Sequence, residues 1–320
     1  MAYTAGNTIL DNEYNDFVGK ATSPYGYNHF AGTGAGAYGL NQSSIATVSA
    51  GGTINASSWN SLFTGIDNIA NHLNRSVTAS SVSAGDAIAV RSALISDLAN
   101  LAGDVAAGGV NVDALTDRAA GTSTNGNTWN STSTIERSIT FANNATMRAF
   151  FNAGGSIKID PGTSGSVDGL KDTVFEQLTA AAGVISFKAH ATTKAGGGGE
   201  TQDSFASGTG FHDLGSDSYT SINKIISNNS GYTSDYIEIF VKINAAVSSA
   251  TVLTVKMVGS DPAADTVYSA GAASHAGISE NMNECPALVL ALTANEPTSA
   301  QGLAAAIQYL SHTEVSNSAS

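Results

Sequence analysis

Residues 236–243 read Tyr-Ile-Glu-Ile-Phe-Val-Lys-Ile, with Ile237, Ile239, Val241 and Ile243 on one side of an extended chain and Tyr236, Glu238, Phe240 and Lys242 on the other. A period of two belongs to a strand, and a strand with one wholly aliphatic face must lay it on a core. Six other segments read as strands: 134–141, 156–160, 184–190, 219–226, 252–258 and 287–292. Gly, Asn, Ser and Asp turns separate most of them. Helices are expected at 143–152, leading into Gly154-Gly155, and at 170–182. Many short strands between turns favour sheet-on-sheet packing over a doubly wound parallel sheet. The expected fold class is α+β: a small helical N-terminal region followed by a mainly antiparallel, β-sandwich-like domain.

The first third carries an internal echo. Thr8-Ile9 is followed by Tyr14-Asn15 and Phe17, and Thr53-Ile54 is followed by Trp59-Asn60 and Leu62, at the same spacing. Asp11 or Asn12, and Asn55 or Ser57, are suited to cap helix N-termini through their side-chain oxygens. Trp59, Leu62, Phe63, Ile66, Ile69 and Leu73 recur at three and four residues, which is one apolar stripe on a helix. A further helix is expected over 86–102, with Val90, Leu94, Leu98 and Leu101 inward. Residues 104–135 are polar and read as a linker or exposed loop. The resulting division is a helical, glycine-loop-rich docking or assembly region at 1–120, a polar linker at 121–133 and a β-rich domain at 134–320.

Composition narrows the function classes. Charged residues are 12% of the chain, and 26 acidic against 13 basic side chains give a net charge of −13. That field repels phosphate backbones and anionic bilayers, so neither nucleic acid nor membrane is expected as a partner. One cysteine, Cys285, rules out an internal disulfide, and its place before Pro286 and an apolar run makes it a buried thiol. The first residues lack a cationic stretch followed by an apolar one, so no secretory signal is read there. Gly34-Ala-Gly-Ala-Tyr-Gly39 satisfies G-x-G-x-x-G but lacks the preceding strand and the later acidic residue, so it reads as a turning loop.

Three boxes then resemble a known group. Asn7-Thr8-Ile9…Tyr14-Asn15, Gly51-Gly52-Thr53-Ile54…Trp59-Asn60-Ser61-Leu62 and Met147-Arg-Ala-Phe150-Phe151-Asn152-Ala153-Gly154-Gly155-Ser-Ile157-Lys158-Ile159 stand in order, with Tyr25-Gly26-Tyr27 between the first two. They are similar to segments of virion structural proteins of tailed bacteriophages, especially those infecting marine cyanobacteria. The resemblance covers the first half and implies a virion component, made in the host cytoplasm, whose partners are copies of itself and other virion proteins. Tyr14, Trp59, Leu62, Phe150, Phe151, Asn152, Gly154, Gly155 and Ile157 are expected to serve structure and assembly. Phe150 and Phe151 would anchor a short helix, Asn152 would cap the turn, and Gly154-Gly155 would let the chain reverse into a strand.

No catalytic pattern competes with this reading. The six histidines, His29, His72, His190, His212, His275 and His312, form no H-E-x-x-H, and no G-x-S-x-G elbow occurs. His212-Asp213 with Asp217, and Asp261 with Asp265, are minority metal candidates. The chain is therefore read as a non-enzyme without cofactor or metal. Few charges and many small residues suit a subunit packed against its own copies in a tail, neck, fibre or other appendage. Two alternatives are capsid decoration and a fibre-tip protein binding host surface glycans. The last would need exposed aromatics such as Tyr219, Tyr232 and Tyr236 near Asp217 or Asp235.

Overall fold

A computed structural model describes residues 11–22, 25–31, 43–72, 75–78, 80–83, 91–106, 115–125, 129–152, 154–165, 170–262, 285–297 and 309–320. The chain divides into two compact units. Unit 1 comprises Met1–Asp117, Phe141–Ser156 and Asn295–Tyr309, and unit 2 comprises Arg118–Thr140, Ile157–Ala294 and Leu310–Ser320.

The described part of unit 1 is mainly helical: α1 (Asp11–Gly19), α2 (Tyr27–Ala31), α3 (Ala56–His72), α4 (Arg91–Ala106) and α5 (Asn144–Asn152). The expected stripe of α3 supplies its core, with Trp59, Leu62, Phe63, Ile66 and Ile69 all buried. Trp59 sits among rings, 5.2 Å from Tyr14 edge-on, 6.0 Å from Phe17 and 5.6 Å from Phe63. Leu94, Leu98 and Leu101 of α4 and Ala149 of α5 join the same cluster. Asn55 caps α3 by accepting from the Ser58 amide at 2.9 Å. Gly65 stands within this helix for a packing reason: a Cβ there would lie 2.6 Å from the Tyr27 ring. Burial pushes the Tyr27 hydroxyl up to about 12, and that hydroxyl donates to Ser43 O at 3.1 Å.

Unit 2 is a pair of antiparallel sheets, so the chain is α+β with a mainly β unit. One sheet runs β1-β10-β3-β4-β5 and the other β11-β2-β9-β8-β7-β6. The strands are β1 (Thr116–Thr124), β2 (Thr132–Phe141), β3 (Ser156–Ser164), β4 (Val184–Phe187), β5 (Thr192–Ala195), β6 (Thr201–Phe205), β7 (Thr220–Ile226), β8 (Tyr236–Ile243), β9 (Val252–Ser260), β10 (Ala287–Glu296) and β11 (Tyr309–Ala319), with α6 (Leu170–Ala182) between β3 and β4. The strand at 236–243 has the expected bounds and alternation, each of its four aliphatic residues being 0–1% exposed. Ile239 pairs with Met257, and Ile135 pairs with Met257 from the other side, so the core is continuous across β8, β9 and β2.

The expected polar linker is corrected here. Residues 104–135 hold the end of α4, strand β1, the buried Trp129 and the start of β2. Small polar residues disguised β1, because its glycine is needed: Gly121 has φ +90°, and a Cβ there would lie 2.0 Å from the Arg137 guanidinium. Arg137 is 5% exposed and donates to Ser123 Oγ and to Ala120 O. Strands β5, β6 and β11 and helix α2 were also unanticipated.

Candidate functional site

The expected structural residues occupy two buried groups in unit 1, with Ile157 in unit 2. Tyr14, Trp59 and Leu62 lie in the helical core, at 1%, 2% and 0% exposure. Phe150 and Phe151 of α5 are fully buried and meet edge to face at 5.0 Å. Phe141 lies 5.3 Å from Phe150 and 6.3 Å from Phe151. Asn143 caps α5 by accepting from the Thr146 amide at 2.8 Å. Gly154, at φ +87°, turns the chain, and its amide donates to Phe151 O at 3.1 Å. Gly155 is pressed onto Phe150, where a Cβ would lie 2.6 Å from the Phe150 carbonyl oxygen. Ile157 is fully buried in β3. The side chain of Asn152, all of residues 32–42 with the G-x-G-x-x-G sequence, the His72 side chain, His275 and Asp265 lie outside the described residues.

The echoed aromatic–asparagine pairs have a specific job. Asn15 Nδ2 donates to Val48 O at 2.8 Å, and Val48 N donates to Asn15 Oδ1 at 2.8 Å. Asn60 holds Val82 in the same way, at 2.9 and 2.8 Å. A third pair, Tyr27-Asn28, holds Ile45 at 2.7 and 2.9 Å. Each carboxamide thus mimics a neighbouring strand's backbone for one residue of an extended segment. The aromatic preceding each asparagine is buried, anchoring the helix that presents the clamp. Sequence reading missed Asn28 and the clamped residues. Their signal was the recurrence of Val-Ser-Ala-Gly at 48–51 and 82–85.

In unit 2 the outer face of the six-stranded sheet carries alternating charges and aromatics. Register places Glu136, Lys256, Phe240 and Ser221 in one row across β2, β9, β8 and β7. Lys256 Nζ lies 3.9 Å from the Tyr219 ring centre and 4.6 Å from that of Phe240. Lys242 stands 4.7 Å from Tyr219, and Lys224 stands 4.7 Å from Tyr236. Burial, with help from Glu136 and then Asp217, pushes the Tyr219 hydroxyl far above its ordinary range. The aromatics named for glycan contact are therefore divided. Tyr219 and Tyr236 are half-buried on this face and engaged by lysines, while Tyr232 and Asp235 are buried.

The metal candidates do not converge. The His212 ring stacks on His190 at 4.6 Å, Asp213 accepts from the Gly210 amide at 2.9 Å, and Asp217 pairs with Lys242 at 3.2 Å. No group of three or more His, Cys, Asp or Glu suited to a metal occurs among the described residues.

The edges of the sheets differ sharply. Strands β5 and β6 are short, β6 has a register shift between Gln202 and Ser204, and β1 contains Asp117, Arg118 and the left-handed Gly121. By contrast β11 runs for 11 residues without lysine or proline, and all but Tyr309 are exposed. It also bears Leu310 and Val315, the exposed large hydrophobics among the described residues, at 66% and 52%. No protein family matches this chain, and neither a curated protein nor a solved structure matches it.

Proposed function

We propose that this chain is a structural subunit of a tailed-bacteriophage virion, assembling with copies of itself in the tail, neck, fibre or other appendage. The observation that carries the reading is β11. Proteins that remain single guard their sheet edges with short strands, bulges, prolines or lysines, since an open edge is a template for another strand. Here β5 and β6 are short, β1 is bent by the left-handed Gly121, and β11, the longest edge, carries the single carboxylate Glu314 but no lysine, proline or left-handed residue among the described residues. The partner best suited to it is a second β11. Placed antiparallel with Thr313 opposite itself, the strand sets His312 against Glu314 of the other copy twice, on the same side of the ribbon.

The residue boxes that resemble virion proteins support the same reading. The described aromatics and glycines of the boxes serve packing and turning, and Asn15 and Asn60 hold backbone, which suits a scaffold. The test is the copy number of this protein in purified particles, relative to the major capsid subunit. Hundreds of copies indicate a lattice or decoration role, and roughly 3 to 18 a ring or fibre with closed symmetry. Absence from particles overturns the proposal.

A further inference from the structure

Away from these surfaces, unit 2 buries a cluster of ionisable groups in apolar surroundings. Lys171 stands on the inward stripe of α6, in line with Val174, Phe175 and Leu178. Its Nζ is 2.6 Å from Asp261 Oδ2, the two side chains being 3% and 0% exposed. Asp261 follows the last residue of β9, and Asp235 precedes the first residue of β8. Tyr236 pairs with Ser260, so the antiparallel register sets Asp235 opposite Asp261. Both share the parity of core positions, Asp235 with Ile237 and Asp261 with Met257, and both residues are buried. Trp129 and Phe175 stand edge to face at 4.8 Å beside them, and Trp129 pairs through its backbone with Cys285. The Cys285 thiol donates to Asp261 Oδ2 at 3.5 Å. Asp261 Oδ1 receives no hydrogen bond among the described residues.

A buried ion pair of this kind is costly to desolvate. The register sets Asp235 opposite Asp261, and two carboxyls with one ammonium are electrically neutral only when the carboxyls hold one proton between them. Shifting one more proton from the ammonium to Asp261 leaves an amine beside a carboxylic acid. That uncharged arrangement is the reactant pair for an amide. We propose that Lys171 and Asp261 are joined by an intramolecular isopeptide bond, with Asp235 relaying the protons.

The chemistry balances without a further reagent. The lone pair of Nζ attacks Cγ of Asp261, forming a C–N bond and a tetrahedral centre. The C–O bond to the protonated oxygen then breaks, and that oxygen departs as water with a proton released by Nζ and passed through the Asp235 carboxyl. The sum is ammonium plus carboxylate giving amide plus water, with no change of oxidation state. Folding supplies the proximity, holding in contact two groups 90 residues apart in sequence. The nearby thiol does not compete for the carbonyl, because burial keeps Cys285 protonated.

The inference is independent of the virion reading, and its test is a mass. The intact wild-type chain should weigh one water less than its sequence. A tryptic digest should show peptide 159–188, uncut at Lys171, joined to peptide 257–320. Lys171→Ala and Asp261→Ala should each restore the full mass, and Asp235→Asn, folded as judged by its circular dichroism, should leave most chains unlinked. A wild-type chain of full mass with the two peptides separate overturns the bond, however the variants fold. A fully linked Asp235→Asn overturns the relay. Neither result bears on the copy number in particles, so the two proposals fail separately.

Discussion

Asn60→Asp tests whether the carboxamide clamps hold unit 1 together. The wild-type side chain both donates to Val82 O and accepts from Val82 N, at 2.9 and 2.8 Å in a part-buried setting. Asparagine and aspartate have nearly the same shape, so the substitution leaves the packing around Trp59 in place. It removes the donor and points a carboxylate oxygen at the Val82 carbonyl. The Val82 N–H still has an oxygen to donate to, so losing one hydrogen bond costs about 0.5–1.5 kcal/mol, and the facing oxygens add repulsion to this. Asn60→Ala, which loses both bonds without the repulsion, should cost about 1–3 kcal/mol. The two units need not unfold together, so a single midpoint is a poor readout. Amide exchange at Val82 is direct. In Asn60→Asp its protection should fall by at least about 2- to 12-fold if exchange proceeds by local opening. Unchanged protection of Val82 in Asn60→Asp would refute the idea that side-chain mimicry of a strand holds these segments.

Four further outcomes follow from the packing and edges. Phe150→Ala should lower stability by about 3–5 kcal/mol, since the ring is fully buried between Phe141 and Phe151, and an unchanged melting temperature would contradict this. Gly259→Ala should destabilise by about 1–3 kcal/mol, because the added Cβ would meet Leu288 Cδ1 at 2.5 Å and Trp129 at 3.0 Å; a denaturation midpoint at the wild-type value would show that the site gives way freely. Burial, opposed by Asp213, holds the His190 imidazole below its ordinary 6.5, so the unfolded chain binds the proton first and this contribution to stability is lost as pH falls through 6.5. His190→Phe should therefore flatten the pH dependence of melting below neutrality, and an equally steep profile would count against it. The paired change Leu310→Lys and Val315→Lys should abolish self-association measured by sedimentation while leaving the melting temperature of unit 2 alone; persistent assembly would place the contact elsewhere.

The sequence was most legible where one period ruled a long segment. Residues 236–243 and 170–182 have their expected bounds because the alternation of β8 and the inward stripe of α6 each have one structural solution. The strand β1 escaped notice because its residues are small and polar and its glycine makes room for a guanidinium contributed by distant Arg137. The strand β11 escaped for the opposite reason: it buries almost nothing, so no apolar face marks it. Unit 1 takes in residues from three separate stretches of chain, which no local composition can announce. At the site level the aromatic boxes were readable as scaffold, but partners were not. Nothing in the local sequence says that Asn28 meets Ile45 or that Lys171 meets Asp261.

The three clamps also bear on how such a chain tolerates change. They join residues 33, 17 and 22 positions apart, yet with nearly the same geometry. A carboxamide grips one residue and is indifferent to the length of chain looped between. Lengthening a flexible loop is thermodynamically mild, about 0.6 kcal/mol for each doubling. The helical unit therefore has the character of a row of fasteners, each closing on a single residue.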